Sequence, residues 1–287
     1  MAVIVPAHNE ERGIEDTLRS IVSQLHVTDQ IVVVCNGCTD DTAHVARTTF
    51  GDRVMVAELE EPSKIAALNH GDGMVTAFPR LYIDSDVVLS PGSIDAIAHA
   101  LASGDVDVAS PRLLIDTRGA TRSVRLYMRI WSQLPSVRDD TVGRGVYALS
   151  RTARASFTRF PDITGDDHFV RDLVPSHRRV VVDGAQSTVA ASGNLRGLLR
   201  RKPRTVAGNR ELDQAGPEGR DRSTRRGRQW LTVVRNDLSL LPAVPVYVLV
   251  NAHARLVTRL RQLTGRSAGW DRDDSSRSTP SLAGRPR

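Results

Sequence analysis

Lysine is nearly absent from this chain. Of 39 basic residues only Lys64 and Lys202 are lysine. A lysine kept at position 64 in so arginine-rich a sequence therefore attracts notice. Cysteine is as scarce, with only Cys35 and Cys38. No second cysteine pair exists to complete a zinc site. The C-x-x-C spacing admits a redox reading. Against it, Asn36-Gly37 and Thr39-Asp40-Asp41-Thr42 read as a polar turn and a helix cap, which leaves a reduced thiol pair. Aromatic residues make up 4% of the chain, and the basic C-terminal third lacks the interleaved aromatics on which nucleic-acid bases stack. No nucleic-acid partner is expected. No apolar run reaches the roughly 18 residues of a membrane-crossing helix. No secretory leader precedes the strand-like Ala2-Val3-Ile4-Val5-Pro6, so the site is expected to face the cytoplasm.

What is present is a chain of 287 residues, 40% hydrophobic and 25% charged. That suffices for one large α/β domain and an appendage. The net charge of +6 is the sum of two unlike parts. Residues 1–194 carry 19 Lys+Arg and 25 Asp+Glu, a net of −6, and residues 195–287 carry 20 and 8, a net of +12. A basic third of this kind suits an anionic surface.

Apolar runs and helical periodicities alternate through the first half. Strands are expected at 2–6, 30–35, 53–59, 80–84 and 106–110, with helices at 12–25, 39–50, 63–77 and 91–103. Such alternation implies right-handed crossovers and a parallel sheet. The second half is less regular. A helix is expected at 120–134, a strand at 146–149, a short helix at 166–173, a strand at 179–183 and a basic helix at 195–212. Residues 213–228 read as a mobile loop, followed by a helical region to 263. The expected organisation is a catalytic domain over 1–194, with a nucleotide-binding half at 1–110 and an acceptor half at 111–194. A basic helical extension follows over 195–263, then a disordered tail over 264–287.

Asp84-Ser85-Asp86 follows Leu81-Tyr82-Ile83 at the carboxyl end of an expected strand, where ligands of parallel sheets bind. Carboxylates spaced i, i+2 there can hold a hard divalent cation against a diphosphate. Three further constellations precede it. Pro6-Ala7-His8-Asn9-Glu10 joins the first strand to the first helix. Asn36-Gly37-Cys38-Thr39-Asp40-Asp41-Thr42 follows the second strand. Lys64 to Gly71 includes Asn69, and both Lys64 and Asn69 could face a phosphate or ribose. Each alone also reads as helix capping or as polar residues facing water.

Taken in this order, and with Gly165-Asp166-Asp167 after them, these segments over residues 1–190 resemble the inverting glycosyltransferases of family 2. The resemblance implies the GT-A fold, a mostly parallel twisted sheet flanked by helices. It also implies transfer of a sugar from a nucleoside diphosphate sugar, UDP foremost, to a hydroxyl acceptor, with Mn²⁺ or Mg²⁺ as cofactor. Pro6, Ala7, Asn9, Glu10, Asn36, Lys64, Asn69, Asp84 and Ser85 fall where that family holds the nucleotide sugar. Asn36 stands where an Asp often contacts the base. Asp86, with Asp84, falls where the metal is held. Asp167 matches the general base, and Asp166 replaces the family's Glu, so either carboxylate could be the base.

These roles suit the chemistry. The departing diphosphate gains charge, which a divalent metal offsets. The attacking hydroxyl loses its proton to a carboxylate on the opposite side. No Q-x-x-R-W segment is present, which points to single transfer rather than processive synthesis.

Residues 238–252 form an apolar run with two prolines, flanked by arginines and too short to span a bilayer. They read either as an interfacial membrane dock on an anionic lipid surface, or as a packing or dimer surface. The combined expectation is a peripheral enzyme at the inner face of the plasma membrane, acting on a lipid-linked or cell-wall acceptor. Two alternatives are a degenerate family member serving as a membrane-associated interaction protein, and a sugar-nucleotidyltransferase. The latter would want a Gly-rich loop after the first strand, which Ala7-His8-Asn9-Glu10 is not.

Overall fold

A computed structural model describes residues 1–141, 143–162, 165–202 and 219–263. The described residues divide into two compact units. One comprises residues 1–114 and 141–189, and the other comprises 115–140 with the described residues from 190 onward.

The first unit is built on an eight-stranded sheet of order β3-β2-β1-β4-β7-β6-β8-β5. Strands β1 (Ala2–Ala7) and β2 (Gln30–Asn36) are continuous apolar runs, buried almost throughout, as strands covered on both faces must be. They pair in parallel, Val3 opposite Ile31 and Ala7 opposite Cys35. Strands β3 (Met55–Leu59) and β4 (Arg80–Ile83) extend this parallel set on either side. Helices α1 (Ile14–Val22), α2 (Thr42–Phe50) and α3 (Lys64–Met74) make the crossovers. On one side of the sheet α1 supplies Ile14, Leu18 and Ile21 to a core with Val3, Val5, Ile31 and Val33. On the other, α3 supplies Ala67 and Leu68 against Ile4, Val32 and Val34. A Cβ added to Gly71 would lie 2.8 Å from the Ile4 side chain and 2.9 Å from that of Val32. Glycine there lets α3 lie flush on the sheet.

The remaining strands depart from the parallel expectation. β7 (Val146–Leu149) pairs antiparallel with β4 and with β6 (Val108–Asp116), and β5 (Val87–Leu89) pairs antiparallel with β8 (Arg179–Ala190). The sheet is thus mixed, parallel through β3-β2-β1-β4. Strands β6 and β8 run well past the expected ends at 110 and 183. Their continuations, Arg112-Leu113-Leu114 and Gly184 to Ala190, mix polar and apolar residues, so hydrophobic runs alone miss them. Helix α4 (Ser93–Ala102) covers the α1 side through Ile94, Ile97 and Leu101.

The second unit has its own core. Helix α5 (Arg122–Trp131) carries Val124, Tyr127 and Ile130 on one face. These pack with Leu198, Val234, Leu240, Tyr247 and Val250. A short α6 (Pro135–Arg138) follows α5. In the first unit, α7 (Arg151–Ala155) follows β7, and α8 (Asp166–Leu173) precedes β8. Helix α9 covers 195–202, α10 is Gly219–Asn236 and α11 is Val244–Leu263.

Two corrections follow. Residues 115–140 group with the C-terminal helices rather than with an acceptor half ending at 194, because the apolar face of α5 finds its partners there. Residues 219–228, read above as loop, are helical. Arginine is a good helix former, and no proline falls within α10. The expected helix over 203–212, the loop over 213–218 and the tail 264–287 lie outside the described residues.

Candidate active site

β1 and β2 end side by side, so the loops that follow them leave the sheet together at its carboxyl edge. Hydrogen bonds join the two loops. Asn9 Nδ2 donates to Thr39 Oγ1 (3.1 Å), and Thr39 N donates back to Asn9 Oδ1 (2.6 Å). Glu10 N donates to Thr42 Oγ1 (2.7 Å), and Glu11 N donates to the Asp40 carboxylate (3.2 Å). Asn9 has φ of +52°, a left-handed conformation that asparagine tolerates better than most residues. Pro6, Ala7 and Glu10 are buried beneath this joint.

Asn36 is 2% exposed. Its Nδ2 donates to the Ala7 carbonyl (2.7 Å), while its Oδ1 has no hydrogen-bond partner among the described residues. An unpaired buried acceptor costs about 1–3 kcal/mol. Cys38 lies next to it, and its sulfur accepts from Asn9 N at 3.3 Å. Both cysteines are free thiols. The hydrogen bond from Cys35 draws the Cys38 thiol down to about 7, and the same contact together with burial pushes Cys35 up.

The second cluster gathers the acids. Asp84, Ser85 and Asp86 turn the chain from β4 into β5. Lys64 opens α3, and its Nζ lies 2.7 Å from Asp84 Oδ1 and 2.9 Å from Asp166 Oδ1. Asp166 and Asp167 occupy the first turn of α8, where the helix dipole favours negative charge. Asp166 is nearly buried, and its second oxygen accepts from the Tyr147 hydroxyl at 2.8 Å. Tyr147 stacks on Tyr82 at 5.0 Å between ring centroids. Asp167 is half-buried. Its oxygens accept from Gly143 N (2.5 Å) and His168 N (2.9 Å).

Charge and burial compete at this cluster. Desolvation works to lower Lys64, but the charges of Asp166 and Asp84 outweigh it and hold the ammonium well above the usual lysine range. Asp84 is pushed up to about 6 by burial, with Asp166 and Asp86 adding to the rise against the pull of Lys64. Burial, then the neighbouring Asp166, raises the Tyr147 phenol.

Asp86 is exposed and Asp84 half-buried. Among the described residues no group of three or more His, Cys, Asp and Glu is arranged as a metal cage. Two carboxylates are what Mg²⁺ or Mn²⁺ needs when diphosphate oxygens and water complete its shell. Gly145 packs closely against this turn. Its φ is +67°, and a Cβ there would stand 2.5 Å from Val87 and 3.5 Å from Asp84 Oδ2. The donor set fits the cation.

Two residues behave otherwise than the motif suggests. Asn69 Nδ2 donates to the Phe160 carbonyl (3.0 Å), and Phe160 N donates to Asn69 Oδ1 (2.8 Å). Both ends of the amide thus clamp the segment before α8 instead of turning to a nucleotide. Ser85 is buried, and its carbonyl accepts from Thr17 Oγ1 (2.9 Å), which ties the turn to α1. The sequence reading passed over Gly143, Gly145 and Tyr147. The Gly-Arg-Gly just ahead of an apolar strand was the available signal for the first two.

Among solved structures, this chain is similar to the mannosyltransferase PcManGT from Pyrobaculum calidifontis, in complex with GDP-Man and Mn²⁺. The TM-score is 0.58 at 20% identity, over 92% of this chain and 78% of that one. It is also similar to S. aureus TarS, with a TM-score of 0.52 at 15% identity, over 90% of this chain and 54% of that one. These likenesses are of fold, the GT-A fold. Among curated proteins, an uncharacterized glycosyltransferase of Rickettsia typhi is 32% identical over 126 residues, 43% of this chain and 41% of that protein. Glycosyltransferase AglD of Haloferax volcanii is 23% identical over 196 residues, 60% of this chain and 29% of that protein. The chain therefore spans less than half the length of these relatives. The model of glycosyl transferase family 2 matches residues 2–159, more than half of the 287 residues, and the protein belongs to that family.

Proposed function

We propose that this glycosyltransferase moves a sugar from a nucleoside diphosphate donor to an acceptor hydroxyl in a single inverting displacement. The observation that carries the reading is the bridge made by Lys64. One ammonium joins Asp84 of the D-x-D turn to Asp166 of the acidic pair, so motifs some eighty residues apart in sequence form one site.

In this reading the joined loops after β1 and β2 seat the nucleoside, with Asn36 at the end of β2 beneath them. A UDP-sugar is the first donor to test. A GDP-sugar is the second, favoured by the GDP-Man bound in PcManGT. Asp84 and Asp86 would hold Mn²⁺ or Mg²⁺, which when bound would offset the charge growing on the departing diphosphate. Lys64 lies beside Asp84 as a fixed positive charge. Asp167 is the general base. Its partners are backbone N–H groups, and it is more exposed than Asp166, whose two oxygens are held by Lys64 and Tyr147. The acceptor we favour is a lipid-linked or cell-wall glycan at the cytoplasmic membrane face. Family membership sets the nucleotidyltransferase alternative aside, and the assembled acid cluster speaks against a degenerate interaction protein.

Calorimetric titration of UDP- and GDP-sugars, with and without Mn²⁺, tests the donor and the metal together. Asp86→Ala should lose Mn²⁺-dependent binding and keep its melting temperature, because the side chain is exposed at the end of a turn. Unchanged affinity and unchanged metal dependence in that variant would refute the assignment.

A further inference from the structure

Helix α11 has two unlike faces. Tyr247, Val250, Ala254 and Thr258 are buried in the second unit, with the Tyr247 ring stacked on Tyr127 at 5.3 Å. The opposite face is bare and apolar apart from the exposed His253. Leu249 is 69% exposed, Leu256 58% and Leu260 51%, and at 100° per residue these three fall within one stripe. The segment that leads into the helix adds Leu238 and Leu241, 66% and 55% exposed. Exposed Arg255 and Arg259 border the stripe on one side, and Arg235 lies just ahead of the segment. Arg129 of α5 donates to the Ser239 carbonyl (3.0 Å) and so ties that segment to the core.

The sequence reading ended the apolar run at 252 and judged it too short to cross a bilayer. The helix in fact continues, and Leu238–Leu260, 23 residues, has the length and composition of a membrane span. The aromatic core on its inner face gives that side of the helix a different use. A helix with one face packed in protein and the other apolar, rimmed by arginines, has the make-up of one that lies in a bilayer interface. Arginine stems can rest on apolar surface while their guanidinium groups reach phosphate.

We propose that the outer face of α11, with Leu238 and Leu241, docks on an anionic lipid bilayer. Charge selects this occupant over a second copy of the chain. From Arg228 to Leu260 the sequence holds four arginines and a single acid, Asp237, and that acid caps the segment at Ser239 N. Two such faces would repel each other, whereas a bilayer of acidic phospholipid attracts them. The proposal gives a surface to the membrane-face acceptor suggested above, but it stands on α11 and the segment leading into it and is read without any turnover measurement.

Sedimentation of the full chain with phosphatidylcholine vesicles, and with vesicles containing phosphatidylglycerol, tests it. Binding should favour phosphatidylglycerol and weaken as salt rises, since surface attraction is screened beyond about 8 Å at physiological ionic strength. Leu249→Ser with Leu256→Ser should lower the partition coefficient by about tenfold or more, on the scale of burying leucine side chains. Both positions face solvent, so the melting temperature should stay within a few degrees. Arg255→Gln with Arg259→Gln, a second exposed pair, should reduce the preference for phosphatidylglycerol. Absence of sedimentation with either vesicle at low salt, undiminished binding by the leucine variant, or a stable dimer in light scattering that the leucine variant dissociates would each overturn the proposal. If docking fails while nucleotide-sugar binding persists, the donor reading stands and only the surface is lost.

Discussion

At the scale of the residue, Asp166 and Asp167 are adjacent in sequence and unlike in setting. Asp166 is held by Lys64 on one oxygen and Tyr147 on the other, and Asp167 by backbone N–H groups. Neutralising them should give separable results. Asp167→Asn should leave donor affinity and stability near wild type and lower turnover by about 10²–10⁴-fold, the scale of general acid–base catalysis. Asp166→Asn should leave the one-third-exposed Lys64 with Asp84 as its remaining carboxylate and cost about 1–3 kcal/mol of stability, with weaker donor binding. Single-turnover kinetics beside thermal denaturation distinguishes the two, and wild-type turnover in Asp167→Asn would move the base elsewhere. The order of the motifs made these acids legible in the sequence. The Tyr147 hydroxyl and the use of Asn69 as a clamp were not, because each depends on a partner brought near only by the fold.

At the scale of the element, α3 couples the sheet to the site. Its first residue is Lys64, and two turns later Gly71 sits flush on Ile4, Val32 and Val34. Gly71→Ala would place a methyl group inside contact distance of all three. Helix propensity favours alanine over glycine by about 1 kcal/mol, and overpacking of a tight core opposes it by about 1–3 kcal/mol. The net expectation is destabilisation, with α3 lifted and the Lys64 bridge lengthened. Lower melting temperature together with lower donor affinity in Gly71→Ala is the expected outcome. A variant as stable as wild type would mean that the sheet yields to the added carbon. The parallel strands and their helices were legible because periodicity and continuous apolar runs are local signals. The full lengths of β6 and β8 were not, since antiparallel pairing holds residues whose own sequence is not strand-like.

At the scale of the molecule, the two units are not successive stretches of chain. Helix α5 belongs to the unit completed only by residues beyond 190. Composition shifts from acidic to basic near 194, which is where the sequence suggests a boundary. Nothing in the sequence of α5 says which core its apolar face will join. A chain cut after residue 194 should therefore leave Val124, Tyr127 and Ile130 without partners and self-associate. Light scattering and binding of a hydrophobic dye would register this, and a monomeric, dye-silent product would show that α5 finds cover within the remainder. Synthesis proceeds from one end, and this adds a consequence in time. The ribosome releases α5 before residues 198–250, which complete its core. At about 5–20 residues per second the bare helix face waits on the order of ten seconds for its neighbours. During that interval the nascent protein presents an uncovered apolar helix face while β7 and β8 are still being made, and it is then that a chaperone would find most to hold.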